Sequence, residues 1–250
     1  MCDVNRVCFA LYKGRLRRSL YCLAAFLLLK PPQLLIGQSS PSNFDVRLFR
    51  EINNAQSQLK TSVISVTDNS VYPILVAAPL SLAGYGLAAK KDEAFDSGVL
   101  LGTSEILAYS FGYVLKEVIR RERPYEALTD VHTNHMESAD PYSFPSGHST
   151  GAFALATLLT LRYPKPEVYV PAFLWAGTVA FGRIYFGLHY PSDVLAGGLI
   201  GAGSAYIVYK YQGKILPIVN RMVGRKESDD VSAIVVPNNG GALMNIMVRF

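Results

Sequence analysis

From residue 71 onward the chain is a series of apolar stretches separated by short charged links. Val71–Ala89 has no charged residue, Ser97–Leu115 has only Glu105, and Ser149–Leu161, Val168–Gly182 and Val194–Tyr209 have none. No alternation of period two runs through them, and Ala, Leu and Gly dominate, so they are read as five helices. A membrane span needs about 17–25 apolar residues. Two stretches meet that outright, and the other three meet it when their end residues lie at headgroup level. Gly197 with Gly201 forms a GxxxG pair, and Ala176 with Ala180 repeats the small-residue spacing of packed membrane helices. The expected fold class is all-α, a bundle of five to six mostly transmembrane helices. The alternative is a soluble all-α domain with helices buried on every side.

The flanks differ from this body. Residues 40–70 are polar and mixed, and Asn53–Gln58 suggests a surface helix or loop, so this part is expected as an extracytoplasmic segment ahead of a helical domain at 71–210. The tail, 211–250, holds a solvated hinge at Arg225–Asp230. Val231–Val236 and Leu243–Phe250 then flank Pro237–Gly241, the signal of a small C-terminal β-hairpin.

Charge changes the picture further. The chain has 250 residues, half of them hydrophobic and 17% charged, against about 25% in soluble domains. The net charge of +5 would by itself invite a nucleic-acid reading. However, six of the 24 basic residues and one of the 19 acidic ones lie within residues 1–39, leaving 18 of each and a neutral body. No basic body exists to wrap a nucleic acid. Lys13–Arg18 precedes the apolar run Ser19–Leu29, the pattern of an export signal or a signal anchor. Gly37-Gln38-Ser39 offers a cleavage site, and cleavage and retention remain open. Cys2, Cys8 and Cys22 all fall in this leader, so no thiolate or cysteine-bound metal serves the body. With the leader's charge inside, Lys90/Lys91, Arg162/Lys165 and Lys210/Lys214 fall on the cytoplasmic side. Residues 116–147 and 183–193 then face the other side. The expected location is a bacterial-type inner membrane with an extracytoplasmic site, or the periplasm if the chain is soluble.

Three clusters at the helix ends carry candidate chemistry. Lys116, Arg120 and Arg123 fall on one helical face before Pro124, and arginine's planar fork matches phosphate oxygens in pairs. Pro145-Ser146-Gly147-His148 opens the third helix. Ser146 is a natural N-cap, and the free first-turn amides suit an anion that Gly147 lets approach. Arg183 ends the fourth helix, His189 sits in the following turn, and Asp193 lies in the first turn of the fifth, where its carboxylate is expected to bond and orient the exposed His189 ring. Cations, amide donors, two histidines and a carboxylate fit phosphoryl transfer, which rests on positioning and charge stabilisation.

In their order, Lys116 with Arg123-Pro124, Pro145–His148, and Arg183 with His189 and Asp193 resemble the motifs of the type-2 phosphatidic acid phosphatase superfamily. The resemblance covers about residues 71–210. That superfamily includes membrane lipid phosphatases with six spans, soluble bacterial acid phosphatases and vanadium haloperoxidases. It implies His189 as the nucleophile forming a phosphohistidine, oriented by Asp193, with His148 as general acid. It implies Lys116, Arg123, Ser146, Gly147 and Arg183 as phosphate ligands, and a reaction without metal or cofactor. The third motif usually opens with Ser, where this chain has Gly182.

Other candidates are read as structural. Glu105 is expected to make a polar contact within its helix bundle. His132 and His135 have HxxH spacing without further ligands, in a loop whose Glu126, Asp130, Glu137 and Asp140 tune access or keep it solvated. Tyr185, Phe186 and Tyr190 suit lipid contact or interfacial anchoring. The reading that results is a membrane phosphatase with a lipid phosphate or pyrophosphate as substrate partner, of the phosphatidate or isoprenoid diphosphate type. The alternatives are a soluble periplasmic acid phosphatase, a vanadate-dependent haloperoxidase, and a non-catalytic anionic-lipid binder or transporter.

Overall fold

The computed structural model describes residues 43–133, 140–225, 231–238 and 241–248. The leader with its three cysteines, and His135 and Glu137, lie outside the described residues. The five apolar stretches all form helices: α3 (Val71–Ala88), α4 (Asp92–Ile119), α6 (Gly147–Arg162), α7 (Pro166–Tyr185) and α8 (Pro191–Lys210). Ahead of them stand α1 (Phe44–Asn54) and α2 (Gln58–Asn69), a one-turn α5 (Pro124–Ala127) follows α4, and α9 (Gln212–Met222) follows α8. The hairpin expected in the tail is present as β1 (Val231–Asn238) and β2 (Gly241–Val248), antiparallel, with Val231 opposite Val248 and Asn238 opposite Gly241.

The boundaries have local causes. Asn43 caps α1 and Ser57 caps α2, each accepting a first-turn N–H. Pro166 and Pro191 take the first positions of α7 and α8, where the missing N–H costs nothing. α4 ends at Ile119, earlier than Pro124 requires, because Arg120 adopts a left-handed conformation with φ 50°.

α4, α6, α7 and α8 share one core, in which Leu100, Leu101, Leu155, Leu158, Val179 and Val208 are buried. The closest approach is between α6 and α8. A Cβ at Gly201 would lie 2.1 Å from the Thr150 carbonyl oxygen, and one at Gly197 would lie 2.5 Å from that of Ser146. The GxxxG pair read from the sequence therefore lies against the backbone of α6, and Ala176 and Ala180 are likewise buried. Ile215 and Leu216 of α9 pack against the same core, so helical packing continues past residue 210.

The outer surface is apolar: Leu80, Leu87, Ile106, Leu174, Leu195 and Leu199 are exposed on α3, α4, α7 and α8. In water such a surface would be a liability, whereas in a bilayer it is solvated by lipid. Among the described residues, α3 and the α4 stretch are long and apolar enough to cross a membrane. α6 has 16 residues, which is about 24 Å of helix, short of a hydrocarbon core of about 30 Å. At the end opposite the motifs, Arg162 donates to Ser97 Oγ at 2.9 Å and to Gln212 Oε1 at 3.0 Å, tying α6, α4 and α9 together. By chain order Lys90/Lys91 directly precede α4, Lys165 directly precedes α7 and Lys214 lies in the first turn of α9, all next to the residues that Arg162 joins. α1 and α2 pack on α7 and α8 beside the motif end, where the sequence had suggested only a surface segment.

Because the α6–α8 contact excludes any side chain, Gly201→Ala should destabilise the fold by roughly 1–3 kcal/mol. Gly203→Ala, with nothing within 4 Å of the added methyl, should leave it unchanged. Thermal unfolding of the two variants in detergent compares them directly.

Candidate active site

Ser146 caps α6, taking a hydrogen bond from Ser149 Oγ at 3.1 Å, and its own N–H donates to the Asp193 carbonyl oxygen at 3.0 Å. The start of α6 is thereby fixed to the first turn of α8. A Cβ at Gly147 would meet only the Tyr109 ring, at 3.6 Å, an ordinary contact. The His148 ring meets Tyr72 edge-on, with centroids 4.9 Å apart.

His189 is carried by the turn between α7 and α8, which Gly187 makes feasible at φ +74°. Its N–H bonds back to the Arg183 carbonyl, and the ring is folded inward to 2% exposure. This corrects the exposed ring expected from the sequence. Nδ1 lies 2.7 Å from the Ser143 carbonyl oxygen. A carbonyl only accepts, so Nδ1 carries the proton and Nε2 presents a lone pair. That Nε2 is 3.3 Å from Arg123 Nη1. Burial, reinforced by the charges of Arg183, Arg123 and Lys116, holds the imidazole well below its ordinary value of 6.5, and therefore neutral.

Asp193 also differs from expectation. Its Oδ2 stands 3.7 Å from His189 Nδ1 and instead accepts the Tyr190 N–H at 2.8 Å. Its Oδ1 accepts from Arg121 Nη1 at 2.7 Å. The carboxylate thus braces the turn, and the direct partner of the ring is Ser143.

Each cation in the site has a defined mount. Arg123 donates from Nη1 to the Leu188 carbonyl at 3.0 Å and from Nε to the Asp140 carbonyl at 2.9 Å. Lys116 Nζ reaches the Tyr142 carbonyl at 2.8 Å and Asp140 Oδ2 at 2.6 Å. Arg183 Nη1 binds both oxygens of the buried Asp68, at 2.9 and 2.8 Å. Among the described residues the buried Arg183 Nε has no partner. Arg183, Arg123 and Lys116 all bear electrostatically on both His148 and His189. The three sequence clusters therefore converge on one place.

Some expectations fail for clear reasons. Arg120, expected on the cationic face, turns outward where α4 ends and pairs with Glu117. Arg121 turns inward instead, bonding Ser192 Oγ and Asp45 Oδ2 as well as Asp193, with its guanidinium 3.8 Å over the Tyr190 ring. Tyr185, Phe186 and Tyr190 are buried in protein and meet neither lipid nor interface. The Tyr185 hydroxyl contacts Thr61 Oγ1 at 2.9 Å. Glu105 is buried, and among the described residues its Oε1 has no partner, so the expected polar contact is missing there. His132 is held by its backbone, which exchanges hydrogen bonds with the Asn53 amide. At Gly182, where the motif usually has Ser, a Cβ would lie 2.6 Å from Ile64 Cγ2 of α2, so a side chain there would require Ile64 to shift. Asp45, Asp68, Arg121 and Ser143 were not singled out from the sequence. Asp45, Asp68 and Ser143 lie outside the three motifs, and Arg121 lies within the first but between the two arginines read as its cationic face.

Residues 97–217 match the PAP2 superfamily. The matched span holds Lys116, Arg123, Ser146, His148, Arg183, His189 and Asp193. It is similar to the undecaprenyl-diphosphatase of Sulfolobus acidocaldarius, 28% identical over 74% of this chain and 86% of that one. The decaprenylphosphoryl-5-phosphoribose phosphatase of Mycolicibacterium smegmatis is 37% identical over 40% of this chain, an alignment spanning 52% of that relative. Among solved structures, the transmembrane PAP2-type phosphatidylglycerolphosphate phosphatase of Bacillus subtilis superposes with a TM-score of 0.56 at 25% identity. That match covers 78% of this chain and 96% of the other. The match and these relatives support an enzyme, a phosphatase, located in a membrane.

Two predictions follow from these mounts. Asp68→Ala leaves Arg183 buried without its carboxylate, and should lower stability by roughly 3–5 kcal/mol, read as the thermal midpoint in detergent. Below pH 6.5 the unfolded chain takes up a proton at residue 189 that the folded site refuses. Native stability should therefore fall as pH drops below that value, and the His189 share of it is level above. Chemical denaturation across this range should show a shallower acid decline in His189→Gln.

Proposed function

We propose that this membrane phosphatase hydrolyses a phosphorylated or diphosphorylated lipid, of the isoprenoid type, through a phosphohistidine on His189. The observation that carries the reading is the neutral, buried His189, whose Nε2 lone pair faces Arg123 while the charges of Arg183, Arg123 and Lys116 act on both His189 and His148. A site built only to bind an anion needs the cations but not an oriented lone pair. The isoprenoid preference is supported by the undecaprenyl and decaprenyl compounds in the names of the two relatives. The apolar outer surface beside the site suits a substrate whose headgroup enters from the bilayer.

In this mechanism Lys116, Arg123, Arg183 and the amides of Ser146 and Gly147 bind the phosphate oxygens. His189 Nε2 attacks phosphorus, the bond to the leaving oxygen breaks, and His148 donates a proton to that oxygen. The Nδ1 proton stays on the ring, donated to the Ser143 carbonyl oxygen, which stabilises the imidazolium character developing there. A water molecule then attacks the phosphohistidine, losing its proton to His148, and inorganic phosphate leaves. Asp193 and Arg121 position the turn throughout. The cationic links at the far end of the bundle support placing them in the cytoplasm, with the site on the extracytoplasmic face of the inner membrane.

A panel of lipid phosphates and diphosphates assayed with purified protein in detergent tests this. The wild type should release phosphate, with isoprenoid diphosphates turned over faster than phosphatidate. His189→Ala should lose at least about a thousand-fold in kcat while still being protected against heat by inorganic phosphate. Unchanged hydrolysis in that variant removes His189 as nucleophile, and no release from any lipid removes the substrate class.

A further inference from the structure

Among the described residues, four carboxylates sit on the cations of this site, and they are not equivalent. The side chains of Asp68 and Asp193 are 1% and 0% exposed and that of Asp45 is 15%, whereas that of Asp140 is 43%. The first three are enclosed and each holds an arginine in place. Asp140 lies at the open side, on the loop leading to Ser146. Its Oδ2 is 2.6 Å from Lys116 Nζ and 3.8 Å from Arg123 Nη2, the two cations that the proposed mechanism places on phosphate oxygens.

The backbone around Asp140 is held independently of that carboxylate. Arg123 Nε binds the Asp140 carbonyl, and Lys116 Nζ also binds the Tyr142 carbonyl. Rotating the carboxylate toward solvent would therefore break its contacts with Lys116 and Arg123, and with the Tyr142 N–H at 3.0 Å from Oδ1, while both cations keep a backbone anchor. A half-exposed carboxylate regains water when it moves, so leaving costs it little. A phosphate dianion brings twice the charge and more acceptor oxygens to the same two cations.

We propose that Asp140 is an internal competitor for the phosphate position: its carboxylate neutralises Lys116 and Arg123 in the free enzyme, yields to the substrate phosphate, and returns as inorganic phosphate departs. This rests on the phosphatase reading above. It makes Asp140 a specificity-determining residue, because an anion must out-compete a resident carboxylate to enter, which favours phosphate groups over singly charged headgroups. Phosphate binding is tightened by removing Asp140, whereas a carboxylate that only positioned Lys116 would weaken it on removal. The two roles predict opposite signs.

The test compares wild type, Asp140→Asn and Asp140→Ser as full chains in detergent. Asparagine keeps the acceptor for the Tyr142 N–H, and serine guards against an effect peculiar to the amide. With a detergent-dispersed lipid phosphate as substrate, both variants should show KM and the inhibition constant for inorganic phosphate lowered roughly five-fold, with kcat no higher than in wild type. Glu126→Gln, removing an exposed acid of the same loop region, should change neither. An inhibition constant that is unchanged or raised in both variants overturns the proposal. Protection against thermal unfolding by inorganic phosphate gives a readout independent of turnover: half-maximal protection should occur at lower phosphate in the variants. If the wild type hydrolyses no lipid phosphate, the functional reading fails while this binding comparison still decides the role of Asp140.

Discussion

The site depends on how closely α6 and α8 approach at Gly197 and Gly201. Without side chains at these positions, the Ser146 and Thr150 carbonyls lie against the α8 backbone, and the Ser146 N–H reaches the Asp193 carbonyl. That contact brings the helix start with the free amides beside the turn that carries His189. In a bilayer the hydrophobic effect does not drive helices together, so packing of small residues has to do so. The same glycines that build the core therefore set the geometry of the candidate site.

Around that frame the chain resolves an electrostatic difficulty. Gathering Lys116, Arg123, Arg183 and Arg121 at one end of an apolar bundle would be costly if their charges were left uncompensated. Asp68 sits on Arg183, Asp45 and Asp193 on Arg121, and Asp140 on Lys116 and Arg123. Three of these carboxylates come from outside the recognisable motifs, two of them from α1 and α2. The polar segment at 43–70 is thus part of the active-site structure: it supplies Asp45 and Asp68, and Ile64 fills the space above Gly182.

Much of this was legible beforehand. The five apolar helices, the Ser146 cap, Pro191 at the start of α8, the GxxxG contact and the tail hairpin follow from spacing and local preference, which act over a few residues. The order and spacing of the three clusters were enough to point to phosphate chemistry. What could not be read were interactions between distant residues. Arg120 and Arg121 are neighbours of the same type, and only the left-handed turn at the end of α4 decides which of them points inward. The inward turn of His189 is set by hydrogen bonds to Arg183 and Ser143, and the burial of Tyr185 by contacts with α2.

The sequence by itself determined the chemistry available: cations and helix-start amides suited to an anion, two histidines suited to proton and phosphoryl transfer, and a chain suited to a membrane. Those properties reside in residue type and short-range spacing. The tertiary structure alone decided the state in which that chemistry is held. It assigns the His189 proton to Nδ1 through Ser143, makes Asp193 a brace for the turn, and lays Asp140 across the cations. Each of these depends on atoms brought within about 3 Å from distant parts of the chain, a distance that only the packed fold sets.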